Sequence, residues 1–388
     1  MTAPLHKLLL AVCASASLCL TGCRLPTEAE MAGTTVRRAE PAGPQGLYAG
    51  AGELNVPFRS TSINNIARLL GGLDGNGHNS FAYHQQAMDR LWLSHENRGS
   101  AVRDWAASEI SDLQAARCLF YPFSGPDFLF AHELFPHADT YILCGLEPAE
   151  PLPDLGTLSS DEIGYGLSGL REALTSIMQA GYFVTKDMRS DLQATRFRGT
   201  LPILLTFLVR TGNTVESVDI VGLDGSGNVV LTGTHNGSAP GLLIRFRTGY
   251  GSSKRLFYFR QDLSNGPLKP GGSFLTFVSK QGYPPALVKS ASYLMHEDNF
   301  SVIRSYLLRT SRGIVQDPSG VPYRDLASSG HALTLYGNYQ GTLGIFNQQQ
   351  PDLVRAYQSG LHPVKPISFG FGYLYYPSNT SIIVARRR

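Results

Sequence analysis

Residues 119–148 read LFYPFSGPDFLFAHELFPHADTYILCGLEP, and this stretch decides the fold. The apolar run 118–123, bounded by Ser, Gly and Pro, predicts a buried strand. A tight loop, Ser124-Gly125-Pro126-Asp127, leads into a helical pattern over 126–135. Ser124 two residues before Pro126 predicts a helix N-cap with proline in the first turn, and Asp127 there meets the positive end of the helix dipole. A second apolar run, 140–146, ends at the acidic Glu147. Strand, helix and strand over some thirty residues form a βαβ unit, which needs a parallel sheet.

Downstream, VESVDIVGLDGSGNVVLTGT predicts two strands around an Asp-Gly-Ser-Gly-Asn turn, which is a hairpin signal rather than a metal loop. GLLIRFRTG and KRLFYFRQDL predict two more strands. Helix and strand then alternate: 271–282 helix, 287–295 strand, 300–311 helix, 313–317 strand. The C-terminal ISFGFGYLYYPSNTSIIVA alternates around Pro-Ser-Asn and predicts an antiparallel hairpin closing the sheet. The expected architecture is α/β: three-layer and Rossmann-like, with a mainly parallel sheet, helices on both faces and that hairpin at the C-terminus.

Residues 58–117 form a helical lead-in, with separate helical segments at SINNIARLLGGL, FAYHQQAMDRLWLSH and SAVRDWAASEISDLQAA. DGNGHN (74–79) lacks the glutamate that a calcium loop places at its twelfth position, so it predicts a turn. No internal repeat and no second linker divides 58–388, which is expected to be one α/β domain.

The chain has 388 residues, 43% hydrophobic and 16% charged, with a net charge of +3. Core-forming residues are plentiful, and the scattered cations give no nucleic-acid footprint. Arg386, Arg387 and Arg388 are the one basic run and read as a solvated tail. At the other end, Lys7 precedes an apolar run of roughly 13 residues, short for a membrane span but fitting a secretory signal. The run closes on Leu20-Thr21-Gly22-Cys23, which resembles the lipobox of bacterial lipoproteins. That resemblance implies a signal peptide over 1–22, removed on processing, and acylation of Cys23. It also implies a membrane partner through the lipid and a place in the cell envelope. Arg24, where an aspartate would signal inner-membrane retention, points to the outer membrane facing the periplasm. Residues 23–57, rich in Ala, Gly, Pro and Glu, predict a flexible tether. Cys118 and Cys144 then remain, and their offset of about four residues along neighbouring parallel strands, roughly 13 Å, predicts two free thiols.

Ligands of open α/β sheets sit outside the carboxyl ends of the strands, so polar residues just after each predicted strand are the candidates. These are Ser124, Gly125 and Asp127; Glu147; Asp262 and Asn265; His296 and Glu297; and Gln316 and Asp317. If neighbouring strands carry them, carboxylates and one histidine converge, as in many acid/base sites, with His296, Asp127 and Glu147 the catalytic candidates. The alternative is that they end strands and cap helices at the surface. The opening βαβ unit resembles the motif region of class I S-adenosylmethionine-dependent methyltransferases, with Glu147 twenty-two positions beyond Gly125 near the place of a ribose-binding acid. It departs from that family in having one loop glycine, and Asp127 opposes a pyrophosphate at the helix start, leaving cationic or hydroxyl-rich ligands open. As a whole the chain resembles exported bacterial proteins of unassigned function. No cofactor is implied by any motif, and a Gly-x-Ser-x-Gly elbow is absent. HELFPH spaces His132 and His137 wrongly for a shared zinc face.

Overall fold

The computed structural model describes residues 62–73, 79–182, 195–231, 238–373 and 379–388. The signal segment, Cys23, the tether and all but the last residue of DGNGHN lie outside the described residues.

The lead-in forms α1 (Ile63–Leu70), α2 (Asn79–Glu109) and the single turn α3 (Ser111–Gln114). The two helical segments expected within 81–116 are one continuous helix, because Gly99 does not end it. Gly99 is a packing residue: a Cβ there would overlap the Glu133 carboxylate, which His95 Nε2 meets at 2.8 Å. The βαβ unit follows as β1 (Cys118–Tyr121), α4 (Phe128–Leu134) and β2 (Thr140–Gly145). Next come α5 (Ser160–Ala180) and α6 (Leu201–Arg210). Ser159 and Glu162 form a reciprocal capping box at the start of α5, and Gly181, at φ 82°, ends it in the left-handed region where glycine is unstrained.

A meander, β3 (Thr214–Leu223), β4 (Val229–Leu231), β5 (Ser238–Arg247) and β6 (Ser253–Arg260), follows. Its first turn is built on Asp224, whose Oδ1 accepts from the amides of Ser226 and Asn228. The remaining elements are α7 (Ser273–Ser279), β7 (Ala286–Val288), α8 (Ser301–Thr310), β8 (Gly313–Gln316), α9 (Tyr323–Ser328), β9 (Ala332–Gly337), α10 (Pro351–Ser359), β10 (Val364–Lys365) and β11 (Ser381–Arg386).

All strands join one mixed sheet in the order β10-β9-β11-β8-β7-β1-β2-β6-β5-β3-β4. The expectation of a mainly parallel sheet is corrected. Five pairings are parallel and five antiparallel, with β8-β7-β1-β2-β6 a continuous parallel block. The meander must be antiparallel because its turns are too short for crossovers. The C-terminal hairpin is also corrected. A single strand, β11, inserts antiparallel between β8 and β9, and of the other expected arm the described residues, up to Tyr373, contribute an isolated bridge at Phe371. The arginine run is no loose tail, since β11 extends to Arg386 and the Arg387 amide bonds the Arg312 carbonyl at 3.1 Å.

Strand residues alternate between two cores, as the period of two demands. Leu119, Tyr121, Tyr141 and Leu143 pack with α1, α2, α4, α5 and α6. Cys118, Phe120, Ile142 and Cys144 pack with α7, α8, α9 and α10. Register places Cys118 beside Thr140, so Cys144 stands four positions on; both thiols are free and buried. No helix among the described residues is long and apolar enough to cross a membrane.

Candidate functional site

β1 and β7 are parallel neighbours, yet the chain leaving β1 goes first to β2 on its other side. The sheet therefore has a topological switch between β1 and β7, where open α/β sheets open a crevice at the carboxyl edge. Residues after Tyr121 and after Val288 meet there.

Asp127 is the N-cap of α4: its Oδ1 accepts from the Phe130 amide at 3.1 Å. This corrects the reading of Ser124 as the cap. Ser124 Oγ instead ties β1 to β2, accepting from the Cys144 amide at 3.1 Å and facing the carbonyls of Gly125 and Cys144 at 2.9 and 3.2 Å. The second oxygen of Asp127 accepts from Tyr121 Oη at 2.9 Å and meets Lys289 Nζ at 2.8 Å. Lys289 also donates to the Gly181 carbonyl and lies 4.0 Å from the Phe130 ring centroid. Both partners of this ion pair are buried. Burial pulls the Lys289 ammonium below the ordinary lysine range, opposed by the charge of Asp127.

Asp317, one residue beyond β8, is buried on the far side of Lys289's strand. Its Oδ1 accepts from Ser319 Oγ at 2.6 Å and from the amides of Ser290 and Ser319, each at 3.3 Å. Burial pushes its carboxyl up to about 6, against these hydrogen bonds and the charge of Lys289. Gly372, at φ 67°, passes so close that a Cβ there would overlap Asp317 Oδ2.

The expected strand over 287–295 stops at Val288, because the next residues turn sharply. Ser290, Ser292 and Tyr293 have φ of 54°, 52° and 56°, and Phe123 after β1 has 59°. These are four of the five non-glycine residues with positive φ among the described residues. Each costs on the order of 1 kcal/mol, so the surroundings must hold them. Tyr373 does part of this, donating to the Ser290 carbonyl at 2.8 Å and lying 2.7 Å from Ser292 Oγ. Ala291's amide is held by Ser319 Oγ at 2.8 Å. Rings line the turn in sequence: Tyr293 to Phe346 at 4.9 Å, Phe346 to Tyr373 at 5.0 Å, and Tyr373 to Tyr182 at 4.8 Å.

His296 follows in a 3-10 turn, its ring 5.1 Å from Tyr293. Burial, then the charges of Arg304 and Arg324, lower it to about 4, so it is neutral at pH 7. Its Nε2 is buried without a hydrogen-bond partner among the described residues, although the ring faces the backbone of Pro318 and Gly320; Ser290 Oγ and Gln348 Oε1 are likewise buried and unpartnered among the described residues. Gln348 Nε2 donates to Glu297 Oε1 at 2.8 Å. These polar atoms, beside a turn of positive φ, are groups that can donate to or accept from a polar molecule.

The structure thus gathers Asp127 and Asp317 about Lys289, with His296 and Glu297 in the 3-10 turn that follows the strained residues. The other candidates do separate work. Glu147 accepts from Tyr258 Oη at 3.0 Å and folds its carboxylate over Gly125 and Gly145. Asp262 Oδ1 accepts from the Ser264 amide at 2.8 Å. Asn265 bonds the Asp298 carbonyl, Ser301 Oγ and the Val302 amide, and so fixes the start of α8. Gln316 closes its own loop through both backbone groups of Val321. A depression of about 360 Å³ lined by Glu150, Pro151, Leu152, Pro153, Arg196 and Arg198 contains none of the expected site residues. Sequence reasoning missed Lys289, Tyr121, Ser290, Ser292 and Tyr373; a lysine directly after the apolar Ala286–Val288 was the available signal.

The chain matches no family model, no curated protein and no solved structure.

Proposed function

We propose that this chain is a lipid-anchored protein of the cell envelope whose domain binds a small polar ligand, or an envelope component, at the β1–β7 switch. The domain is read as three-layer and Rossmann-like, supported by the parallel block β8-β7-β1-β2-β6 and by helices contributing to two separate cores. The anchor is Cys23 of the LTGC segment, in an outer membrane facing the periplasm. The observation that carries the ligand reading is the strained turn Ser290–Tyr293, set against the buried Asp127–Lys289 pair. Strain of this kind persists where geometry is held for a task.

The ligand is hydroxyl-rich or cationic rather than a dinucleotide. Asp127 occupies the start of α4 with its own carboxylate, so a phosphate there would meet a negative group and a helix amide already bonded. The class I methyltransferase resemblance lacks support for the same reason, and Glu147 is committed to Tyr258. An enzyme reading as transferase or hydrolase has one specific observation in its favour. Asp317, pushed up to about 6 by burial, exchanges protons near neutral pH.

Thermal-shift measurements against a panel of small polar compounds test the site. A binder should raise the melting temperature of the wild-type chain and leave Ser292→Trp unmoved, because Ser292 is an exposed residue of the turn itself. Binders that shift both equally count against it. Anchoring is tested apart from this: a Cys23→Ser chain that stays lipid-labelled in the membrane fraction would sink that half of the proposal.

A further inference from the structure

We propose that the amino edge of the sheet, opposite the ligand edge, is a docking surface for anionic phospholipid headgroups. β11 runs antiparallel to β8, so its end at Arg386–Arg388 lies beside Arg312 at the start of β8. The Arg387 amide bonds the Arg312 carbonyl at 3.1 Å, and the Arg387 guanidinium donates to the carbonyl of Arg309 at the end of α8. Arg309, Arg312, Arg387 and Arg388 are all exposed, and none has a carboxylate partner among the described residues. Tyr283, 69% exposed, lies under Arg387 with 6.0 Å from guanidinium to ring centroid. Farther along the same edge, exposed Arg255 in β6 stands in register with Thr140 of β2, donates to its Oγ1 at 3.1 Å, and has no carboxylate partner among the described residues. Unpaired cations grouped beside an exposed aromatic ring match the headgroup region of an anionic leaflet.

A second, independent observation gives the same edge. The described chain begins at Ser62, and Asn64 Oδ1 accepts from the amide of Val215 at the start of β3. β3 is antiparallel to β5 and β5 to β6, so β3 starts at the amino edge of the parallel block. Ser62, where the described chain enters the domain, therefore lies toward the same amino edge, six strands along the sheet from β8. Docked this way, the domain holds the Ser290–Tyr293 turn away from the bilayer. The inference rests on the anchored reading above, and its test keeps the two apart by using an unacylated chain.

The full chain carrying Cys23→Ser is partitioned onto vesicles of phosphatidylcholine alone and of phosphatidylcholine with 30% phosphatidylglycerol. It is compared with the same chain carrying Arg309→Gln, Arg312→Gln, Arg387→Gln and Arg388→Gln. Both share one N-terminus, so its contribution cancels. The parent should prefer the anionic vesicles, and the quadruple variant should lose on the order of 600-fold, each of the four arginines near such a surface being worth about fivefold. In case the variant folds poorly, a salt series on the parent alone reads the same interaction, and 0.5 M NaCl should abolish the preference. Equal binding to both vesicles, a preference that survives salt, or a duplex DNA bound as tightly as the anionic vesicles would overturn the proposal.

Discussion

Lys289 Nζ lies 2.8 Å from Asp127 Oδ2, joining the end of β7 to the cap of α4 across the point where the strand order reverses. The pair occupies the place that a ligand phosphate takes in many sheets of this kind, and it fixes the two turns that frame the strained residues.

Removing one member should cost more than removing both charges. Lys289→Met leaves a buried carboxylate with only Tyr121 and the Phe130 amide, and should lose about 3–5 kcal/mol. Asp127→Asn keeps a capping oxygen. The double variant should lose clearly less than the sum, by at least about 1 kcal/mol in urea unfolding. Strict additivity would show that the pair is not coupled.

Asp317 should make stability fall as pH rises. Its folded pKa, about 6, is above the ordinary value of 3.8, so between those pH values the folded state holds a proton that the unfolded chain has released. Full charging costs about 3 kcal/mol by pH 8, taking 1.36 kcal/mol per pKa unit. Asp317→Asn should remove this slope, visible as a wild-type-minus-variant stability difference that changes between pH 4 and pH 7. A difference independent of pH contradicts the burial argument.

His84 acts with the opposite sign. Its Nε2–H donates to the Leu70 carbonyl at 3.0 Å, while Nδ1 accepts from Arg171 at 2.9 Å, so the neutral ring is the one that fits. Burial lowers it from 6.5 to about 4. Stability from this group is complete above 6.5 and is lost as pH falls toward 4, by up to about 3 kcal/mol. His132 and His296 are lowered to about 4 in the same way and share that window. His84→Gln should therefore shallow the acid limb of the unfolding curve by about one proton.

The thiols of Cys118 and Cys144 should be inert in the folded protein. Burial pushes each up to about 12, and thiolate is the reactive form. Peptide mapping after alkylation should find both unmodified under native conditions and both modified in denaturant, with no disulfide between them.

The βαβ unit was legible because Leu119–Tyr121 and Tyr141–Leu143 are continuous apolar runs and a capped helix separates them. The free cysteines followed from register alone. What escaped was set by distant partners. The helical segments either side of Gly99 read as separate, although the helix runs through and the glycine is there to let Glu133 approach. Ser290, Ser292 and Tyr293 read as a strand, since nothing local announces a left-handed turn held by Tyr373, eighty residues away. The insertion of β11 between β8 and β9 depends on a pairing that no local pattern encodes. Among the candidates, Asp127 and Asp317 were legible as strand-end acids, but Lys289 was not, because a buried lysine is defined by the carboxylate that neutralises it.

The central claim is that a small polar molecule binds at the strained turn between β1 and β7. Native mass spectrometry of gently purified full-length chain, beside Ser292→Trp prepared identically, tests it most directly. The claim predicts a discrete added mass on the wild type, released on denaturation and missing from the variant. The same added mass on both chains, or none on either, would contradict it.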